Sequence, residues 1–333
     1  MATLLKHRSE ITDIGIGLTN RCNSNCPGCY SRKLAYRDIT LPMIERVIEK
    51  YPNVKKINLG TGENILNPFF SEIISHILSK NIQLGITSNG TTINRMDWEQ
   101  LTLLKDVDVS LDFASEQKHD ARRGQGIFKG AIAAIERSKK AGVNTSIAMA
   151  LMSINYGELP IFKQIIDAYD ICLRINIFKP VDPAANNLPL TYDQFWESIR
   201  IMANKFQLKS CSEPILSLVI PEMTISKSPC GASIRIHPDL KETSCVYIMG
   251  ENVSKGSFLK LKMKIPEFCK PCNVVEKCGG GCLGRRILEK RSNEPDKYCP
   301  KALNREIPEI KFTYSQDKGD FIHSNYLCTI ILR

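Results

Sequence analysis

Several things are missing from this sequence, and each absence removes a class of protein. No apolar run approaches the ~18 residues that span a bilayer, and the N-terminus MATLLKHRSE has neither an apolar stretch nor a small-residue cleavage site. Neither a membrane association nor an export signal is expected, which places the chain in the cytoplasm. No GxGxxG follows any strand-like run, which counts against an open dinucleotide-binding sheet. No stripe of basic and aromatic residues is present to track a nucleic acid, so none is expected as a partner. With 43% hydrophobic and 24% charged residues, usage is close to the globular average and excludes long disorder or fibrous repeats.

Cysteine is in excess, at 13 in 333 residues. A chain of this length exceeds one ordinary core and needs no disulfide scaffold. In a reducing compartment, thiols clustered at short spacings point instead to metal ligands or redox chemistry. The formal net charge is +10, and residues 252–311, which are also rich in cysteine, carry 14 Lys/Arg against 7 Asp/Glu. Thiolate-bound clusters are anionic, so part of that basic excess is expected to neutralise them.

The first two-thirds of the chain alternate strand-like and helix-like runs. Residues 13–19, 55–60, 82–88, 106–112, 143–151 and 171–178 read as buried parallel strands, and 41–50, 68–80, 127–141 and 159–169 carry apolar residues at helical spacing. Six βα units in succession predict an α/β fold, a complete or partial (β/α)6 TIM-like barrel with its chemistry at the C-terminal ends of the strands. KPVDPAANNLP marks a polar linker, and a helix over 191–206 is expected to close the barrel. From about 226 the chain has too few apolar residues for a core of its own, which predicts a region folded around metal. The expected division is a barrel over 10–206, a bridging segment over 207–225, a cysteine-rich domain over 226–306 and a tail over 307–333. The tail ends in LCTIILR, a strand added to an edge or a partner contact.

Cys22, Cys26 and Cys29 form CxxxCxxC in the loop after the first strand, followed at once by Tyr30. Three thiolates are one short of a structural zinc site or an ordinary cubane, and they leave one iron open to an outside ligand. A zinc reading requires a fourth ligand from elsewhere. This spacing, in this loop and with an aromatic next, resembles the radical S-adenosylmethionine (SAM) superfamily. Three more segments fall at successive strand ends. Gly60-Thr61-Gly62-Glu63 looks like the GGE motif that holds the SAM amine, Ser88-Asn89-Gly90 resembles the ribose-side TNG segment, and Ser110-Leu111-Asp112 resembles the SLD segment. Singly each reads as turn chemistry.

The resemblance implies that SAM chelates the open iron, that an electron cleaves the sulfonium, and that the resulting 5′-deoxyadenosyl radical abstracts a substrate hydrogen atom. The protein then has to exclude water and position the target C–H. Arg122 or Arg123, beyond His119, is a candidate clamp for the SAM carboxylate or a solvated loop cation. Arg174 and Asn176 alternate with Ile175 and Ile177, so they share one face of the sixth strand and are candidate substrate contacts.

Seven more cysteines follow. Cys230 and Cys245 flank a predicted hairpin, Cys269, Cys272, Cys278 and Cys282 stand in CKPCNVVEKCGGGC, and Cys299 precedes Pro300. A zinc ribbon needs two CxxC pairs, and only one is present. The order resembles the SPASM extension of peptide-modifying radical SAM enzymes, which holds two auxiliary [4Fe–4S] clusters, for three clusters in all. The resemblance assigns Cys269, Cys272, Cys278 and Cys299 to the distal cluster and Cys230, Cys245 and Cys282 to the nearer one. Leu240 stands where the family usually has glycine. The nearer cluster then has either an open iron or a fourth ligand from elsewhere, with Cys211 the nearest candidate. Cys172 and Cys328, in apolar runs, are expected to be buried inert thiols.

The leading expectation is a maturase that modifies a ribosomally made precursor peptide by crosslinking, epimerisation or backbone excision like that of the spliceases. About a dozen residues precede the first strand, so a separate small leader-binding protein is expected, together with a flavodoxin- or ferredoxin-type electron donor. The alternatives are a sulfatase-type protein side chain, a small alcohol or a sugar as substrate, or a cluster-bearing electron carrier without SAM chemistry.

Overall fold

The computed structural model describes residues 9–33, 36–220, 234–243, 245–247, 265–316 and 328–333, the side chain of residue 33 excepted. Six strands follow one another as predicted: β1 (Asp13–Ile16), β2 (Lys56–Leu59), β3 (Gln83–Ser88), β4 (Asp106–Ser110), β5 (Asn144–Leu151) and β6 (Cys172–Ile177). Each pairs in parallel with the next. The intervening helices include Leu41–Lys50, Phe70–Ser79, Ile127–Lys140 and Leu159–Tyr169, each within two residues of its predicted bounds. The result is the α/β partial barrel expected.

The strands alternate in character. Ile14, Ile16, Ile57, Leu59, Leu84, Ile86, Val107, Val109, Leu173 and Ile175 are fully buried in one apolar core with the helices. The opposite face is small or polar: Gly15 pairs in register with Asn58, and Asn58 with Gly85. Gly15 gives room to the Arg235 side chain, whose Nη1 would stand 2.5 Å from a Cβ there, while hydrophobic burial on the outside holds the sheet.

Beyond β6 the chain departs from expectation. The helix Tyr192–Lys205, begun by a reciprocal capping box between Thr191 and Gln194, does not close the barrel. Instead it seats the cysteine-rich region: Phe195 stacks on Tyr298 at 4.2 Å and Trp196 Nε1 donates to the Tyr298 carbonyl at 3.0 Å. The segment read as a linker opens with β7 (Gln207–Cys211) and continues into a buried 3-10 turn, Pro214–Leu218. β8 (Ile234–Ile236) and β9 (Glu242–Thr243) form the expected hairpin, and β8 adds in parallel to β1. In its turn Leu240 has φ +63°, the left-handed conformation that explains a glycine preference there.

The tail supplies β10 (Thr313–Tyr314), which pairs with β7, and β11 (Ile330–Leu332). β11 is not an edge strand. It runs antiparallel between β6 and β7, and all three of its side chains are buried, so a short, wholly apolar strand is used where both neighbours can cover it. The sheet order is β10-β7-β11-β6-β5-β4-β3-β2-β1-β8-β9. No helix among the described residues is long and apolar enough to cross a membrane.

Candidate active site

A cavity of about 230 Å³ opens at the C-terminal ends of the parallel strands. It is lined by Cys22, Cys26 and Cys29 from the β1 loop, by Gly60, Gly62 and Glu63 after β2, and by Ser88 and Asn89 at the end of β3. Ser110, Asp112, Arg122 and Arg123 come from the β4 side, Arg174, Asn176, Phe178 and Lys179 from β6, and Tyr30 and Tyr247 complete the wall. Every candidate named for the first site therefore lines one space. Across from Arg174 and Asn176 on β5 stand Ala148 and Ala150, whose short side chains keep the middle of the cavity open.

The thiol loop is held from two sides. Asn89 Nδ2 donates to Asn23 Oδ1 at 2.8 Å and Ser24 Oγ at 3.0 Å, and reaches Cys22 Sγ at 3.9 Å. Arg122 donates to the Pro27 carbonyl at 3.3 Å, between Cys26 and Cys29. Burial and the nearby Glu63 carboxylate push the Cys22 thiol up to about 11, and burial likewise raises Cys26, against the lowering effect of Arg123. Bare, the Cys22 and Cys26 thiols stay protonated near neutrality, and a cationic iron centre is what would make them thiolates. Three half-buried sulfurs around an open cavity suit a cluster that keeps one iron for an outside ligand.

Glu63 departs from the role its motif implied. Its Oε1 accepts from Ser88 Oγ at 2.5 Å, Thr92 N at 2.7 Å and Thr92 Oγ1 at 2.5 Å, and its Oε2 accepts from Asn89 N at 2.9 Å. Oε1 takes three of these bonds and Oε2 one, and together they lock the β2 and β3 loops to each other. Gly62 is required there: at φ +63° a Cβ would stand 2.4 Å from the Arg21 carbonyl oxygen. Tyr30 is tied to the same loop, its hydroxyl donating to the Gly60 carbonyl at 2.9 Å.

Asp112 is similarly engaged. Its Oδ2 accepts from Arg123 Nε at 2.8 Å and Arg122 Nε at 3.4 Å, and its Oδ1 from Ala150 N at 3.0 Å. Although burial opposes it, the Arg123 guanidinium holds the Asp112 carboxyl below the usual carboxylate range. His119, fully buried, accepts at Nδ1 from Asp112 N at 3.2 Å, and burial lowers its pKa to about 4, so it is neutral. Arg174 meets Asp108 at 2.9 Å across the barrel interior, both buried, rather than a partner in the linker. Asn176 shares its face, as predicted.

Sequence reasoning missed Lys179 and Tyr247. Lys179, at the end of the β6 run, is buried with Nζ 4.6 Å from the Tyr247 ring centroid. Of Arg122 and Arg123, the two candidate clamps, Arg123 is the cation whose charge acts on Cys26 most strongly. Neither Lys179 nor Tyr247 had a local signal: the alternation Arg174, Asn176 continues to Phe178, so Lys179 falls out of phase with it, and Tyr247 stands two residues after Cys245 with nothing to mark it.

Cys269, Cys272, Cys278 and Cys299 line one cavity of about 430 Å³. Gly280 and Gly281, at φ +82° and +88°, turn their backbone N–H groups toward Cys278, where burial pushes the thiol up to about 12. Lys301 Nζ reaches Cys272 Sγ at 3.5 Å, one basic residue of the excess facing a thiol. Among the described residues no three His, Cys, Asp or Glu side chains crowd a single ion, and a polynuclear cluster keeps its thiolates further apart than that. Of the nearer set, Cys245 and Cys282 flank Gly284, and Cys230 lies outside the described residues. Cys211 does not join them: it packs in the main apolar core, where burial pushes its thiol up to about 12. Cys172 is buried against Ile331, as an inert thiol would be.

Residues 16–164 match the family model of the radical SAM superfamily. The chain is 29% identical over 324 residues to mycofactocin maturase MftC of Mycobacterium ulcerans, covering 85% of this chain and 86% of that protein. In fold it is similar to Streptococcus suis SuiB bound to S-adenosylmethionine, with a TM-score of 0.69 at 16% identity over 90% of this chain and 80% of that one. It is also similar to anSMEcpe with bound AdoMet, with a TM-score of 0.66 at 17% identity over 87% and 95% of the two chains.

Proposed function

We propose that this chain, which belongs to the radical SAM superfamily, cleaves SAM reductively in the β-strand-end cavity and modifies a ribosomally made precursor peptide there. The observation that carries the reading is convergence: three thiols, with no fourth among the described residues, the ends of β2, β3 and β4, and the Arg174–Asn176 face all line one space. The printed name of the relative, a maturase, and a similar structure determined with its precursor peptide SuiA favour a peptide as substrate.

Cys22, Cys26 and Cys29 would hold a [4Fe–4S] cluster, which would supply the electron for reductive cleavage of SAM. The chain's own residues do the rest. Asn89 and Arg122 hold the thiol loop. Arg122 and Arg123, pinned by Asp112, present cations for the SAM carboxylate. Backbone groups at Gly60 and Gly62, with Ser88, Ser110 and Tyr30, border the rest of the cofactor. Arg174 and Asn176 face the substrate, with Ala148 and Ala150 leaving it room. Residues 10–206 form the radical-generating unit, 226–306 the auxiliary-cluster domain with two [4Fe–4S] clusters, 207–225 the bridge and 307–333 a tail that returns to the sheet. A small leader-binding protein and a flavodoxin- or ferredoxin-type donor complete a cytoplasmic system.

The test is anaerobic. Reconstituted protein, SAM and a chemical reductant should yield 5′-deoxyadenosine, and a cognate precursor peptide should change mass. Cys26→Ala should abolish the nucleoside while keeping about eight of about twelve irons per chain. No nucleoside from the loaded wild-type protein would overturn the proposal.

A further inference from the structure

Cys328 was expected to be an inert thiol, yet it is not in the apolar core. It is half-buried, two residues before β11, and the thiol of Cys282 is within hydrogen-bonding reach of it. The backbone there is fixed to the end of β7: Ser212 N donates to the Thr329 carbonyl at 2.8 Å, and Thr329 N donates to Ser212 Oγ at 3.1 Å. Cys282 in turn shares its surroundings with Cys245, since a Cβ on Gly284 would stand 3.3 Å from Cys245 Sγ and 3.9 Å from Cys282 Sγ. Glycine at 284 thus keeps the space between these sulfurs clear. The charge of Lys179 acts on both Cys282 and Cys328, and its Nζ is anchored to the Ile177 carbonyl at 3.1 Å.

We propose that Cys328 is the fourth protein ligand of the nearer auxiliary cluster, joining Cys245 and Cys282 and the Cys230 that the motif supplies. This rests on the reading that the second cysteine set binds clusters. It takes the place first considered for Cys211, whose thiol receives the Glu213 backbone N–H. Closure by Cys328 leaves no iron in that cluster for a substrate, so its role is to pass electrons, and the peptide is held by the barrel face instead. It also gives β11 a purpose beyond covering β6 and β7: the inserted strand carries its thiol to the barrel side of the cysteine-rich region. Lys179 stands between that thiol pair and the cavity as a fixed positive charge, which favours an anionic cluster.

Two measurements test it, neither needing SAM or peptide, so failure of peptide modification and failure of this ligation are separable. First, the full wild-type chain is alkylated with iodoacetamide before and after cluster reconstitution, and each cysteine is read by mass spectrometry. Labelling of Cys328 should fall about tenfold on loading, together with Cys245 and Cys282. Unchanged labelling of Cys328 while those two become protected overturns the proposal. Second, in a Cys22→Ala/Cys26→Ala/Cys29→Ala background both remaining clusters are closed, and mild ferricyanide should produce no three-iron EPR signal. Adding Cys328→Ala should open one cluster and produce that signal, whereas adding Cys211→Ala should not. A signal with Cys328 intact, or one produced by Cys211→Ala, overturns the assignment. Should Cys328→Ala fail to fold, the wild-type labelling decides.

Discussion

Glu63 sits in a motif that elsewhere meets the SAM amine, but here its two oxygens take four hydrogen bonds from the β3 side. Replacing it with alanine leaves Asn89 N without its acceptor. The Ser88 hydroxyl loses its acceptor too, although it still receives Gly90 N at 2.8 Å, and Thr92 N keeps only a long bond to Ser88 Oγ at 3.3 Å. At about 1–3 kcal/mol for each buried group left unpaired, the loss for Glu63→Ala is about 4 kcal/mol. Glu63→Gln is the sharper test. Its single oxygen can serve the Ser88 and Thr92 side, but its amide then points N–H at the N–H of Asn89, exchanging one charge-assisted bond for a donor–donor contact, about 2 kcal/mol.

The assay is urea unfolding of the anaerobically loaded chain, paired with SAM binding measured on the same samples. A load-bearing Glu63 lowers the midpoint in the order wild type, Gln, Ala, and weakens SAM binding in that same order through the disturbed Asn89 loop. The reasoning fails if Glu63→Gln unfolds at the wild-type midpoint yet binds SAM more than tenfold more weakly, because the carboxylate would then be meeting the ligand directly.

Three further outcomes follow. Asp108→Asn or Arg174→Met alone should cost about 3–5 kcal/mol by stranding a buried charge, and the double variant should recover most of it, read as a double-mutant cycle in denaturant. His119 has a folded pKa lowered to about 4 against an ordinary value of 6.5. The unfolded chain therefore binds more protons between those limits, and its contribution to stability, full above pH 6.5, is lost as pH falls toward 4. Below pH 6.5 this amounts to about 1.4 kcal/mol per pH unit, and His119→Asn, which keeps an acceptor for Asp112 N, should flatten the slope of stability against pH. Leu240→Gly removes a left-handed strain of about 1 kcal/mol at the cost of extra freedom in the unfolded chain, for a net gain of about 0.5 kcal/mol. A loss greater than about 1 kcal/mol would show that the Leu240 side chain contributes packing that outweighs its backbone.

The six parallel strands and their helices were readable because each helix carries a continuous apolar face and each strand a run such as KINL or DVDVS. The first thiol set and the strand-end segments were equally readable, since their order along the chain matches the order of the β-strands. Long-range placement was not. β7 reads QLKSC, with three of its five residues polar, and nothing local shows that it is covered by a strand from the far end of the chain. Cys328 was misread for the same reason: LCTIILR is apolar enough for a core thiol, and only the insertion of β11 brings it to Cys282. The hydrogen bonds that Glu63 and Asp112 make to their neighbours were not legible either, because motif position does not count hydrogen bonds.

The division of labour across the sheet explains why the motifs tolerate their departures. Stability comes from the outer face, where isoleucine, leucine and valine meet the helices, so the inner face is released from packing and can hold charges that would otherwise be destabilising. Those charges are admitted in pairs or sets: Asp108 with Arg174, Asp112 with Arg122 and Arg123, and on the far side Arg285 with Asp296 and Glu213. Each set joins separate segments of the chain: strand to strand, loop to helix, bridge to cysteine-rich region. The paired charges therefore tie together the segments that carry the described cysteines, and a substitution that neutralises one member should shift those segments before it unfolds the barrel.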